Sequence, residues 1–209
     1  MQDPSRTLAI ETASEACSIA LYEGGELIAH DHRVLGRGHA ERLIPMIEAL
    51  PDHGRASRIL VSLGPGSFTG VRIGIAAARA LGFAWGADVY GYPTLALVAA
   101  HAVQDTDNPV TVCMNGGHGE WFVADFSKEA MGGVRSLTPQ QASERGARPS
   151  IAGNRAEEFA ALLDNEHTAL NLLPDARNVH LLPDNWLTSD LTPIYGRAPD
   201  AKPQKQAAP

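Results

Sequence analysis

The residues best placed to do chemistry are the glycine-rich run Gly64-Pro65-Gly66-Ser67-Phe68-Thr69-Gly70 and a scatter of single titratable groups. The run joins an apolar strand pattern at Arg58–Leu63 to a long apolar stretch, so it reads as a strand-to-helix junction. Backbone N–H groups and the helix dipole at such a junction can hold an anion. Gly64, Gly66, Ser67 and Thr69 are therefore candidate anion or nucleotide contacts. Lys is absent and the spacing differs from a Walker A loop, and the run is not a dinucleotide fingerprint either. The same residues also make a plain tight turn in which Ser67 or Thr69 caps the helix. Both readings stay open.

Other candidates are isolated. Glu11-Thr12 follows the first strand, where a metal-assisted phosphotransferase would hold a carboxylate, but no second carboxylate accompanies it. His30 and His32 share a strand face without an evident third ligand. His39-Ala40-Glu41-Arg42 at a helix start reads either as an acid–base pair or as a helix end with solvated charges. No His-Glu-x-x-His, Gly-x-Ser-x-Gly or Cys–His constellation is present. No catalytic residue, metal ligand set or cofactor is assigned on this evidence.

The elements that must position these residues are legible. Leu8–Ala13, Cys17–Tyr22 and Glu26–Val34 read as three strands, with Glu23-Gly24-Gly25 as the hairpin turn between the last two. A helix follows over His39–Leu50, and Pro45 inside it predicts a kink or a late start. After the strand at Arg58–Leu63 come the long helix, a strand Val89–Tyr92 and a helix Thr94–Val103 with Thr94 as N-cap. Gln104–Pro109 is polar and turn-rich, a natural boundary. Beyond it, strands at Thr111–Met114, Glu120–Phe126 and near Gly133–Leu137 precede a helix Pro139–Arg145, a strand Ser150–Ala152 and a helix Ala156–Leu163.

The order β-β-β-α-β-α thus occurs twice, which predicts an α/β protein of two stacked ribonuclease-H-like units. We expect an N-terminal subdomain over 1–104, a reduced C-terminal one over 105–197, and a disordered Pro/Ala/Lys/Gln tail over 198–209.

In the long helix, Gly70, Gly74, Ala78, Gly82 and Gly86 recur every fourth residue. Such a stripe lets another helix approach closely, and each glycine costs on the order of 1 kcal/mol relative to alanine. Val71, Ile73, Ile75, Leu81, Phe83 and Trp85 make the remaining faces apolar. One sheet covers one side only, so the second half or another subunit is expected to cover the rest.

Composition narrows the classes. The chain has 209 residues, 44% hydrophobic and 20% charged, and a net charge of -7. That charge argues against an unaided grip on nucleic acid. Two distant cysteines, Cys17 and Cys113, read as reduced core residues of a cytoplasmic protein. The most apolar stretch, Val71–Trp85, carries Arg72 and Arg79 and is too short to span a membrane.

Three segments carry a family resemblance: Leu8–Leu21, His39–Ile47 and Gly64–Gly74 closely resemble the TsaB (YeaZ) family. Gly119-Glu120-Trp121-Phe122 and Pro193-Ile194-Tyr195-Gly196-Arg197 match it more weakly. The resemblance implies an actin-like, ASKHA-type fold. It also implies a role in forming N6-threonylcarbamoyladenosine in tRNAs that read ANN codons, as a non-catalytic subunit beside the catalytic paralogue TsaD and the ATPase TsaE. Contact with tRNA is then indirect, and the chain alone is expected to form a homodimer.

TsaD carries a His-x-x-x-His metal site whose two positions fall here at Pro93 and Leu97, neither of which can bind a metal. Glu11 replaces the family's usual aspartate, and Asn115-Gly116-Gly117-His118 its usual Asp-Ala-Arg-Met. The family interface lies on the first two helices. Leu43, Met46, Ile47, Leu50, Gly70, Arg72, Gly74, Ile75, Ala78 and Arg79 are the expected contact residues. An independent ATP-dependent phosphotransferase using Glu11 and the Gly64–Thr69 turn, or a metallopeptidase, are the readings from other classes.

Overall fold

The first three strands, β1 (Arg6–Glu11), β2 (Ala16–Glu23) and β3 (Glu26–Val34), form an antiparallel meander. Its tighter hairpin turns on Gly24 and Gly25, both at positive φ. After α1 (His39–Glu48), β4 (Arg58–Ser62) pairs parallel to β1. After α2 (Phe68–Trp85), β5 (Asp88–Tyr92) pairs parallel to β4. The sheet order is β3-β2-β1-β4-β5. These elements come from a computed structural model, which describes residues 5–104, 108–127 and 130–197. The tail expected over 198–209, and residues 105–107 of the polar segment, lie outside the described residues.

Helix α3 (Thr94–Ala102) leads to the second half. There β6 (Val110–Gly117), β7 (Glu120–Phe126) and β8 (Arg135–Leu137) form another antiparallel meander. They are followed by α4 (Pro139–Arg145), β9 (Ser150–Ala152), α5 (Ala156–Ala160) and β10 (Thr168–Leu170). The order β10-β9-β6-β7-β8, taken from its other edge, repeats that of the first sheet. The result is the actin-like arrangement of two ribonuclease-H-like units, the second one reduced.

Alternation along the strands sets the layers. On one face of the first sheet, Leu8, Ile10, Ile19, Leu21, Ile59 and Val61 pack under α1 and α2. From the opposite face, Ala9, Ala20 and Leu60 meet α3, which also receives Val110, Val112 and Ala124 of the second sheet. Helix α3 is therefore buried continuously from Thr94 to Ala100, which explains why its apolar residues show no helical stripe. Helices α4 and α5 cover the outer face of the second sheet through Ala142, Ala156 and Phe159.

The chain then returns to the first half. Ser18 Oγ donates to Asp175 Oδ1 at 3.1 Å and accepts from Ala176 N–H at 3.0 Å. Further on, Thr188 pairs with Gly91, Leu191 enters the core under α2, and Ile194 N–H donates to Leu63 O at 2.8 Å.

Two local expectations change. Thr94 is not an N-cap: that place belongs to Pro93, and no side chain caps α3. Helix α1 starts at His39 and runs through Pro45, whose side chain faces solvent. His39 is buried, its Nε2 3.1 Å from Ala16 O, so it anchors the helix start to β2.

Candidate functional site

Two features adjoin at the start of α2: an exposed helical face and a cleft between the halves. The glycine turn builds the junction. Ser67 is the N-cap of α2 and its Oγ accepts from Gly70 N–H at 3.2 Å, while Ser67 N–H donates to Ala13 O at 2.6 Å. The capping reading of Ser67 therefore holds, and Thr69 lies exposed in the first turn.

The glycine stripe faces inward. A β-carbon at Gly70 would collide with Thr12 O, one at Gly74 with Thr12 Oγ1, and one at Gly82 with Val89. Thr12 Oγ1 also donates to Gly70 O at 2.8 Å. The small residues thus let α2 sit directly on the end of β1, and the groove assigned to a partner belongs to the chain's own core. Leu43, Met46, Ile47, Leu50, Gly70, Gly74, Ile75 and Ala78 are all buried there and offer no surface for docking. The reason is phase: what lets a helix approach another helix also lets it approach a sheet.

Arg72 and Arg79 do lie outside, and with them a face that the sequence reading missed. Phe83 is 94% exposed, Phe68 56% and Ile44 48%, and Ala76, Ala80 and Ala84 are exposed between them. The signal was present in the spacing. Residues half a turn from the glycines (72, 76, 79, 80 and 83) must point away from whatever the glycines touch. At one end of this face Arg72 stacks its guanidinium 3.6 Å from the centroid of Phe68 and donates to Tyr195 Oη at 3.1 Å. At the other, Arg79 donates to Leu191 O at 3.4 Å.

Beside Phe68 opens a cleft of about 800 Å³ between the two halves. Pro65, Gly66 and Ser67 form one wall, Asn115–His118 another, and Thr94 and Met114 also line it. Asn154 bridges the halves at this level, its Nδ2 donating to the Glu15 carboxylate at 2.8 and 3.0 Å and its Oδ1 accepting from Asn115 N–H at 2.8 Å. Of the anion-turn residues, Gly66 and Ser67 line the cleft, whereas Gly64 is buried behind it.

Glu11 does not reach this cleft. It is fully buried, with Oε1 accepting from Ala13 N–H at 2.7 Å and Oε2 lacking a partner. Burial pushes its carboxyl up to about 7, with the Ala13 hydrogen bond opposing the shift. So enclosed, the Glu11 side chain does not face the cleft. Pro93 caps α3 and Leu97 is buried within it. Among the described residues no three His, Cys, Asp or Glu side chains converge as metal ligands.

Comparison with known proteins places this arrangement. Residues 32–143 match the family described as "TsaD: tRNA N6-adenosine threonylcarbamoyltransferase". The chain is 31% identical over 176 residues to the tRNA threonylcarbamoyladenosine biosynthesis protein TsaB of Escherichia coli, covering 81% of this chain and 74% of that one. An uncharacterised Mycobacterium tuberculosis protein is 32% identical over 95% of both chains. The solved structure of YeaZ from Pseudomonas aeruginosa superposes with a TM-score of 0.76 at 28% identity, covering 91% of this chain and 99% of that one. With the glycine turn, the duplicated sheet and these relatives in agreement, the chain belongs to the TsaB (YeaZ) family.

Proposed function

We propose that this chain is a non-catalytic subunit of the bacterial assembly that forms N6-threonylcarbamoyladenosine in tRNAs reading ANN codons. In this reading it binds, stabilises and orients the catalytic subunit TsaD, acts with the ATPase TsaE, and meets tRNA only through the complex. The observation that carries the reading is the exposed outer face of α1 and α2, centred on Phe83. Burying one phenylalanine against a partner is worth about 1.5–3 kcal/mol, and aromatic residues with a flanking Arg are the usual anchors of such contacts. We therefore assign the contact to Ile44, Phe68, Ala76, Ala80 and Phe83, with Arg72 and Arg79 along its edge. Proline and leucine at positions 93 and 97 support a non-catalytic role, because neither side chain can ligate a metal. We assign the two lobes to residues 1–104 and 105–197 and the work to the cytoplasm.

Gel filtration of the chain mixed with TsaD tests the proposal. A shared peak is expected, together with loss of tRNA threonylcarbamoylation when this chain is omitted. Separate elution with modification intact contradicts it. The chain alone is expected to dimerise through the same face, so TsaD should displace the homodimer. Turnover of Mg-ATP by the isolated chain would instead favour a phosphotransferase.

A further inference from the structure

Asn115 is the one asparagine of the chain that glycine follows. We propose that Asn115-Gly116 is a site of spontaneous deamidation that the fold leaves open, so that the chain acquires a carboxylate at position 115 as it ages.

The reaction requires the backbone nitrogen of Gly116 to reach the side-chain carbonyl carbon of Asn115, and three features of the hairpin favour this. Asn115 is exposed near the end of β6, where it pairs with Trp121 while Gly117 pairs with Glu120. Gly116 is therefore the extra residue of a bulge, outside the register that fixes the rest of β6.

The Asn115 side chain is folded back over this peptide. Its Oδ1 accepts from Gly117 N–H at 3.1 Å, which closes a ring of atoms that includes the Gly116 nitrogen. The same N–H would stabilise the negative charge that grows on Oδ1 as the nitrogen adds.

The bulge also demands the glycine. A β-carbon at position 116 would lie 2.9 Å from Glu120 O. The requirement that keeps a side chain out of the bulge thus leaves the attacking nitrogen unshielded.

Other asparagines lack this combination. Asn108 precedes a proline, whose nitrogen has no proton to lose, and Asn178 precedes the branched Val179. Asn154 precedes Arg155 and is engaged at both ends, by Glu15 and by Asn115 N–H.

The chemistry needs only water. The Gly116 nitrogen gives its proton to solvent and bonds to Asn115 Cγ; the Cγ–Nδ2 bond breaks and ammonia leaves, giving a cyclic succinimide. Water then opens the ring at either carbonyl, to aspartate or to isoaspartate. The new charge falls beside the bridge between the halves, where Asn115 N–H donates to Asn154 Oδ1 and Asn154 Nδ2 holds Glu15. In isoaspartate the main chain runs through the former side chain, which adds a methylene to β6 just before its turn.

Incubation of the full chain at mildly alkaline pH, followed by peptide mapping with mass spectrometry, tests the inference. The peptide carrying Asn115 is expected to gain about 1 Da, as a mixture of aspartate and isoaspartate. Asn154 should react at least about tenfold more slowly, because its geometry is not poised for ring closure. Because the fold leaves the site open, native chain and chain unfolded in urea should react at Asn115 within about tenfold of each other. Asn115→Gln, whose extra methylene disfavours the same ring closure, should show no gain at this position. A native chain that stays intact, or that reacts more than about tenfold slower than the unfolded one, overturns the proposal. So does modification that falls first on another asparagine, or a mass gain at position 115 that persists in Asn115→Gln.

Discussion

The two halves share one strand order but differ in what they leave for a partner. In the first, the crossover between the fourth and fifth strands is the 18-residue α2. In the second it is the five-residue α5. The edge strands shrink in parallel, from nine residues in β3 to three in β8. Both sheets bury one face on α3, so the shared topology follows from the shared core. The outer layers are free of that constraint. One is a thin cover that packs on the second sheet through Phe159, and the other a long platform with apolar side chains facing water.

If the glycines of α2 serve the chain's own core, Gly74→Leu should destabilise the fold directly. The added side chain would drive into Thr12 Oγ1 and Val61. A loss of about 3 kcal/mol is expected from overpacking, read as a fall in melting temperature. A soluble, fully stable Gly74→Leu chain that fails only to bind its partner would return the stripe to the interface.

Glu11 marks the same junction by its pH dependence. The folded carboxyl titrates near 7 against an ordinary value of 4.5. Between those values the folded chain holds a proton that the unfolded chain has released, so stability falls as pH rises through that window. The loss amounts to roughly 3 kcal/mol at about 1.4 kcal/mol per pH unit. Glu11→Gln should flatten the slope between pH 4.5 and 7 in urea melts. An unchanged slope would assign the pH dependence to another group.

The caps compare the halves on an equal footing. Ser67 caps α2, and Thr138 caps α4 in a complete box with Gln141. Ser67→Ala and Thr138→Ala should each cost about 1 kcal/mol.

Much of this fold was legible in the sequence. Short apolar runs and the Gly24-Gly25 turn disclosed the first meander, and the glycine run disclosed the start of α2; the second hairpin turns at His118-Gly119, just past Gly116-Gly117, which lie within β6. The three-residue β10 was not legible, because so short an edge strand has no period to detect. The face of α2 was misassigned for a different reason. A small-residue stripe reports close approach but not to what, and only the position of Thr12 above β1 shows that the approaching group is the sheet. The cleft was out of reach altogether. It depends on Thr94, Asn154 and Tyr195, which are far apart in sequence and meet only when the chain crosses back.

The central claim, that the first half alone presents the docking face, is tested by one pair of affinities for TsaD. Phe83→Asp places a charge on the exposed end of α2, whereas Leu162→Asp does the same on an exposed leucine (46%) just past α5. Phe83→Asp should weaken TsaD binding on the order of 100-fold, the effect of losing a central anchor of about 3 kcal/mol. Leu162→Asp should leave it unchanged, and both chains should melt like the parent. Equal affinity for Phe83→Asp and the parent, or a loss confined to Leu162→Asp, would contradict the account.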